Sequence, residues 1–358
     1  MHPDDYTKND YKKNVLDHIH RLVEDEAGPD PEQIALRFGI PITSLAILSR
    51  NENPYGPSPH ATAALSQARL NRYPDVRPFI SALSSYTGYP DQSLVAGAGM
   101  DEIITTICRI FLGPDDRVLI PVPTYNLYGL ATELCAARPI YQERLMGWDV
   151  DPRIPEGVKM VFLCSPNNPT GNALTESRVR EILEETRAIV FLDEAYVEFA
   201  RESLILLVSE YDNLIVGRTL SKAFGLAGMR LGYALAPEWI AEQYRRAAPP
   251  FYGISSASAA TGAAALSDLP FMRRSVERIV SERERLVREI GCDASQANFL
   301  YLRTDEPSNQ FVDRFLSRGI IIRDCRSFRG AGEHQVRVTV GRPEENQRFL
   351  SAYQEICR

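Results

Sequence analysis

The run Asn213-Leu-Ile-Val-Gly-Arg-Thr-Leu-Ser-Lys-Ala-Phe-Gly-Leu-Ala-Gly-Met-Arg230 starts as a short apolar strand and passes straight into hydroxyls, glycines and cations. A lysine is normally a solvated surface group. Lys222 instead follows a strand-like segment, stands among small residues and has Arg230 eight positions on. A partly desolvated amine beside cations has a lowered pKa and becomes a nucleophile toward carbonyls. The hydroxyls of Thr219 and Ser221 and the guanidinium of Arg230 together suit a phosphate. An aldehyde that also carries a phosphate satisfies both halves, and pyridoxal phosphate is such a molecule.

Working outward, similar apolar runs recur at Leu94-Val-Ala-Gly, Arg117-Val-Leu-Ile-Pro, Met160-Val-Phe-Leu-Cys, Ala188-Ile-Val-Phe-Leu-Asp and Leu231-Gly-Tyr-Ala-Leu-Ala. Helices are expected over Asp101–Leu112, near Tyr125–Cys135 and from about Glu176. Short apolar strands separated by helices predict an α/β fold with a mostly parallel sheet covered on both faces. After Pro249 the pattern changes to a long helix over roughly Pro270–Ile290, strands at 297–302, 320–323 and 336–340, and a last helix from Glu344. That reads as a smaller α+β domain. The expected division is a large domain over 50–246 and a small one built from 1–49 and 247–358. Residues 1–48 read as a charged amphipathic helix followed by a short one at Pro31–Phe38. Asn51-Glu-Asn-Pro-Tyr-Gly-Pro-Ser-Pro59 reads as an ordered loop.

The composition of the 358 residues is that of an ordinary globular protein, 44% hydrophobic and 24% charged. A net charge of −7 without Lys or Arg runs argues against a nucleic-acid partner. No apolar stretch is long enough to span a bilayer, and the polar start Met-His-Pro-Asp-Asp is no secretory signal. These features predict a cytoplasmic protein without a membrane partner. Six scattered cysteines and five histidines form no metal-ligand or acyl-transfer pattern. Proton transfer therefore falls to Lys, Tyr or a carboxylate.

Asp193-Glu-Ala-Tyr196 follows a buried strand, and ligands of open α/β sheets sit at the carboxyl ends of strands. Asp193 suits a pyridine nitrogen and Tyr196 a ring oxygen, although capping of the next turn explains Asp193 equally well. Asn168, in Ser165-Pro-Asn-Asn-Pro-Thr-Gly171, either completes a tight turn or donates to the same ring oxygen. Val95-Ala-Gly-Ala-Gly-Met-Asp-Glu102 has no third glycine for a dinucleotide fingerprint. Its strand-to-helix turn still offers the amides of Met100 and Asp101 to a phosphate. Tyr125 opens a helix after a strand and suits stacking on a planar ring or a place in the core. Arg337 lies opposite to Val336 and Val338 in a strand, and Arg323 ends another. Two arginines from one domain suit a carboxylate and a second anion.

Taken together, these segments resemble the fold-type I pyridoxal-phosphate aminotransferases of class II, and within them the histidinol-phosphate aminotransferases. The resemblance runs from about Asn51 to the C-terminus. It rests on the Asn51–Pro59 loop, Arg72-Tyr-Pro-Asp, Asp101-Glu-Ile-Ile, Pro-Thr-Tyr125, Pro-Asn-Asn-Pro-Thr-Gly171 and Asp193-Glu-Ala-Tyr-Val-Glu-Phe. Arg218-Thr-Leu-Ser-Lys-Ala-Phe-Gly, Arg323-Asp, Arg337-Val-Thr-Val-Gly and Glu344-Glu-Asn complete it. It implies that Lys222 binds the aldehyde and shuttles the proton, with Asp193 on the pyridinium, Tyr196 and Asn168 on the 3-oxygen and Tyr125 against the ring. Met100, Asp101, Thr219, Ser221 and Arg230 would form the phosphate cup. Tyr73 would reach the phosphate of the other subunit of a homodimer. Arg337 would hold a substrate carboxylate and Arg323 a substrate phosphate, with Asn53 and Tyr55 also at the substrate.

The implied reaction is transfer of an amino group between L-histidinol phosphate and 2-oxoglutarate, in histidine biosynthesis. Three departures bear on the substrate. Glu24-Asp-Glu-Ala-Gly-Pro holds no aromatic where the family usually has a tyrosine. Pro249-Pro-Phe-Tyr-Gly-Ile-Ser-Ser replaces an Asn-rich segment, and Met100 replaces a serine or alanine. The alternatives are a threonine-phosphate decarboxylase, which shares the Arg323-Asp-Cys325 run, and an aromatic or other amino-acid aminotransferase. A cofactor-sensing regulator would need a DNA-binding domain, for which the 48-residue segment before the Asn51 loop, acidic overall, is too short.

Overall fold

In the computed structural model, which describes residues 12–22 and 28–357, the first strand, β1 (Ala46–Ile47), belongs to a small outlying pair. The central sheet is formed by β2 (Leu94–Gly97), β3 (Arg117–Val122), β4 (Arg138–Glu143), β5 (Val158–Cys164), β6 (Ile189–Asp193), β7 (Leu214–Thr219) and β8 (Gly232–Leu235). Their order is β2-β8-β7-β6-β5-β3-β4. β4, β3, β5, β6 and β7 pair in parallel, while β8 is antiparallel to both of its neighbours. Every strand except β8 therefore points the same way. The carboxyl ends of β5, β6 and β7 lie side by side, with Cys164 beside Asp193 and Asp193 beside Gly217.

Strand residues alternate between two apolar layers, as a sheet covered on both faces requires. Val118, Ile120, Phe162, Phe191 and Ile215 pack with helices Met100–Phe111, Leu127–Leu134 and Glu238–Ala247. Leu119, Val161, Leu163, Val190 and Val216 face the opposite layer, which includes Val179 and Ile182 of helix Glu176–Glu185. The expected strands appear in place. β4 was not expected, because Arg138-Pro-Ile-Tyr-Gln-Glu143 contains a proline and is half-exposed along its length, as an edge strand permits.

The chain after residue 249 holds helices Ser256–Ser267 and Leu269–Ile290, then β9 (Phe299–Arg303), β10 (Ile320–Ile321), β11 (Arg323–Asp324), β12 (Gln335–Thr339) and helix Pro343–Ile356. β11, β12 and β9 form an antiparallel sheet in that order. The apolar run at 320–323 is thus split between two sheets, because β10 pairs in parallel with β1. That pairing ties the segment before Asn51 to the C-terminal part of the chain. Helix Pro31–Phe38 forms as expected, with Asp30 accepting from the Glu32 amide and Gly39 closing the other end at φ +63°. The first expected helix falls largely outside the described residues, as do Glu24–Ala27. Among the described residues no helix is long and apolar enough to cross a membrane.

Candidate active site

The carboxyl ends of β5, β6 and β7, the start of helix Met100–Phe111 and one face of β12 enclose a cavity of about 230 Å³. Its lining includes Lys222, Asp193, Tyr196, Asn168, Tyr125 and Arg337. Met100, Asp101, Thr219, Ser221 and Arg230 complete the wall on the helix side. Eleven of the expected residues thus converge from seven segments of chain.

Lys222 stands in the turn after β7, and its Nζ donates to the Arg50 carbonyl at 3.4 Å. Desolvation, and next the Arg337 cation, pull its ammonium from the ordinary lysine value down to about 8. Arg337 is 6% exposed. Its Nη1 donates to Asn168 Oδ1 (2.5 Å), its Nη2 to the Ser49 carbonyl (2.7 Å), and its Nε has no partner. No carboxylate pairs with it among the described residues. The alternation in β12 thus turns Arg337 inward. Arg323 lies directly opposite on β11. Facing cations on neighbouring strands repel, and Arg323 is one of the charges that lower the proton affinity of Arg337, after desolvation.

Asp193 is 3% exposed. Its Oδ1 accepts from the Ala195 amide (2.9 Å) and its Oδ2 from the Tyr128 hydroxyl (2.7 Å). Burial pushes its carboxyl up to about 6 against the pull of those two donors. Turn capping and a place at the cavity hold together here. The Tyr196 hydroxyl accepts from Asn51 Nδ2 (3.0 Å), which leaves its own proton to donate. Desolvation raises that phenol to about 12, so it stays protonated near neutrality.

Gly99, at φ +89°, provides no side-chain cap for helix Met100–Phe111, so the first amides of that helix open on the cavity. A Cβ on Gly99 would stand 2.8 Å from Arg230 Nη2, and one on Gly232 would stand 2.6 Å from the Gly99 carbonyl carbon. Gly232 is therefore required by close approach to backbone, and Gly99 by its positive φ. Asp101 does more than offer its amide. Its carboxylate holds Arg230 Nη2 at 2.6 Å and accepts from the Tyr125 hydroxyl at 3.0 Å. Thr219 Oγ1 and Ser221 Oγ, both buried, lie 3.0 Å apart on the same wall.

The remaining expected residues lie away from the cavity lining. Asn53 is buried and donates to the Ala223 carbonyl (2.9 Å) and Ser275 Oγ (2.8 Å). Tyr55 is half-buried, with Arg278 5.4 Å from its ring centre. Arg323 reaches Ser327 Oγ at 3.0 Å. Tyr73 is 86% exposed, its ring stacked on Phe251 at 5.5 Å.

The sequence profile described as Aminotransferase class I and II matches residues 43–352. The chain belongs to the class I and II aminotransferases. A histidinol-phosphate aminotransferase of Methanosarcina mazei is 43% identical over 356 residues, covering 96% of this chain and 95% of the relative. One from Archaeoglobus fulgidus is 43% identical over 320 residues, covering 86% and 98%. Among solved structures, the histidinol-phosphate aminotransferase of Sinorhizobium meliloti in complex with pyridoxal-5'-phosphate superposes with a TM-score of 0.81. It is 24% identical, with 96% of this chain and 97% of that chain covered. The L-threonine-O-3-phosphate decarboxylase of Porphyromonas gingivalis gives 0.74 at 23% identity, covering 87% and 99%. At those identities the two structures speak for the fold alone.

Several residues of this aminotransferase site escaped the sequence reading. Asn51 and Arg50 line the cavity. The loop signal at 51–59 marked the place but not the side chains. Tyr128 holds Asp193 from 65 positions away. Its only sequence signal is a place one helical turn beyond Tyr125.

Proposed function

We propose that this aminotransferase uses pyridoxal phosphate to exchange an amino group between L-histidinol phosphate and 2-oxoglutarate, as a cytoplasmic homodimer. The observation that carries the reading is that Lys222 and Asp193 line one cavity, an amine with depressed proton affinity and a buried carboxylate that has no paired cation among the described residues. A cationic ring nitrogen would supply the counter-charge that Asp193 lacks. The open amides at Met100 and Asp101, the two hydroxyls and Arg230 fit a phosphate. When bound, the cofactor withdraws electrons from the substrate α-carbon. Lys222 would hold the cofactor aldehyde and, once displaced by the substrate amine, would be free to move the substrate α-proton. Tyr196 and Asn168 would orient the ring oxygen, and Tyr125 would pack against the ring. Tyr73 completes the phosphate cup of the second subunit.

For substrate, the cross-strand arginines support two anionic groups. Arg337 would take the carboxylate of glutamate or 2-oxoglutarate and Arg323 the phosphate of histidinol phosphate, with Asn53 and Tyr55 behind them. The two relatives described above, each 43% identical, bear the histidinol-phosphate name, which favours that substrate over threonine phosphate. We also assign 50–246 to a large domain and 1–49 with 247–358 to a small one. The test is an assay of purified protein with histidinol phosphate plus 2-oxoglutarate, beside threonine phosphate alone. Glutamate formation in the first supports the proposal; carbon dioxide release in the second overturns it.

A further inference from the structure

Tyr128 does not line the cavity, yet it contacts residues that do, Asp193 and Tyr125 among them. It is fully buried on helix Leu127–Leu134, its ring stacked on Phe162 at 4.7 Å with planes 6° apart. The edge of the same ring system meets Tyr125 at 5.7 Å and 90°. A buried phenol must place its O–H somewhere. Tyr128 gives it to Asp193 Oδ2 at 2.7 Å rather than to a backbone carbonyl. The only other donor to that carboxylate among the described residues is the Ala195 amide. No arginine or lysine pairs with it there.

We infer that Tyr128 is a positioning residue whose hydroxyl holds Asp193 anionic and aimed at the cavity, while its ring braces Tyr125. The inference rests on Asp193 facing the cofactor, as proposed above. Asp193 is forced by burial toward its protonated form, and a protonated carboxyl cannot serve as a counter-ion. Two donors oppose that tendency, and Tyr128 is the one a side-chain change can remove. Its ring also locks the helix turn in register with β5 through Phe162, so the O–H direction is set by packing on both sides.

The decisive measurement is the titration of the Asp193 carboxyl by 13C NMR in cofactor-free protein, assigned with Asp193→Asn. Tyr128→Phe keeps the ring and removes the donor. Its carboxyl midpoint is expected about one unit higher, a tenfold gain in proton affinity. A 3-fluorotyrosine at position 128 is a stronger donor of nearly the same shape and is expected to lower the midpoint. In turnover, Tyr128→Phe should reduce kcat in the wild-type background and add nothing to Asp193→Asn, the pattern of two groups acting through one another. An unmoved midpoint in both Tyr128 variants overturns the inference and leaves Tyr128 as packing. Should Tyr128→Phe fail to fold, the fluorotyrosine protein alone decides. If Asp193→Asn retains pyridoxal phosphate and turnover undiminished, the underlying cofactor reading fails instead, whatever the carboxyl titration shows.

Discussion

Replacing Arg337 by glutamine removes a buried cation that shares the cavity with Lys222 while retaining an amide donor for Asn168 or Ser49. In the wild-type protein the Lys222 amine titrates at about 8, so roughly 9% of it is neutral at pH 7. At the ordinary lysine value the neutral fraction would be about 300-fold smaller. Desolvation is the larger cause and remains in the variant; the like charge of Arg337 is lost. Removing one neighbouring cation should raise the amine by about one unit. The neutral fraction at pH 7 then falls to roughly 1%, a tenfold loss, whereas at pH 9 it falls only from roughly 91% to 50%. Stopped-flow absorbance, following pyridoxal phosphate added to cofactor-free protein between pH 6.5 and 9.5, reads this directly. The expected deficit is about tenfold at pH 7 and under twofold at pH 9. A deficit of the same size at both pH values would refute the argument, because Arg337 would then act on the ligand and not through the amine. A wild-type midpoint near 10.5 would refute the desolvation of Lys222 itself.

Behind the cavity, Arg218 Nε and Nη2 grip Glu194 Oε2 at 2.9 and 2.8 Å, both residues being buried. Arg218→Met strands that charge and should cost about 3–5 kcal/mol at pH 7, read by denaturant unfolding. Glu198 lies in the same cluster, facing Arg218, Glu194 and Tyr86. Burial pushes it up to about 7, Arg218 opposing, and its Oε2 has no partner. An acid raised on folding penalises the native state progressively as pH climbs from its ordinary value of 4.5 to its folded value. Glu198→Gln should therefore stabilise by up to about 3 kcal/mol at pH 8.5 and by less than about 1 kcal/mol at pH 5; a gain independent of pH would count against it. Tyr73→Phe should weaken cofactor retention about tenfold, measured by equilibrium dialysis. Mixed dimers pairing Tyr73→Phe with Lys222→Ala should then recover one intact site of two.

The parallel sheet was legible because five of its strands are continuous apolar runs. Asp193, Thr219 and Ser221 were legible because they stand where those runs end. Strand β4 was not, since an edge strand needs no apolar stripe and tolerates Pro139. Helix Ser256–Ser267 has no amphipathic pattern to read. It is held by intimate packing, with a Cβ at Gly262 falling 2.7 Å from Leu231 and 2.8 Å from Phe79. The direction of Arg337 hinged on a strand register that only pairing with β9 and β11 fixes. Tyr128 was read as part of a helix, because no local spacing reports a bond to a carboxylate on another element.

The same limit applies to Asn51, which joins the two sheets at the cavity. Its backbone N–H donates to Thr339 Oγ1 of β12 at 2.9 Å, and its carbonyl accepts from Asn298 Nδ2 at 3.0 Å. Its side chain crosses to the Tyr196 hydroxyl after β6, and it holds a left-handed φ of +54° that asparagine tolerates better than most residues. One residue thus binds the small sheet through its backbone and its amide oxygen, which accepts from Thr339 Oγ1 at 3.2 Å, and the large sheet through its amide nitrogen. Arg337 does the converse, sitting on the small sheet and reaching Asn168 after β5. With both links in place, the cavity residues on the large sheet and those on the small sheet are coupled. Asn51→Gly would keep the backbone conformation and cut the side-chain links to Tyr196 and Thr339. The consequence is separable: a small change in stability together with a lower pH for deprotonation of Tyr196, since a donor to a phenol oxygen favours the phenolate only while the donor is there, would contradict the assignment, whereas a higher pH agrees with it.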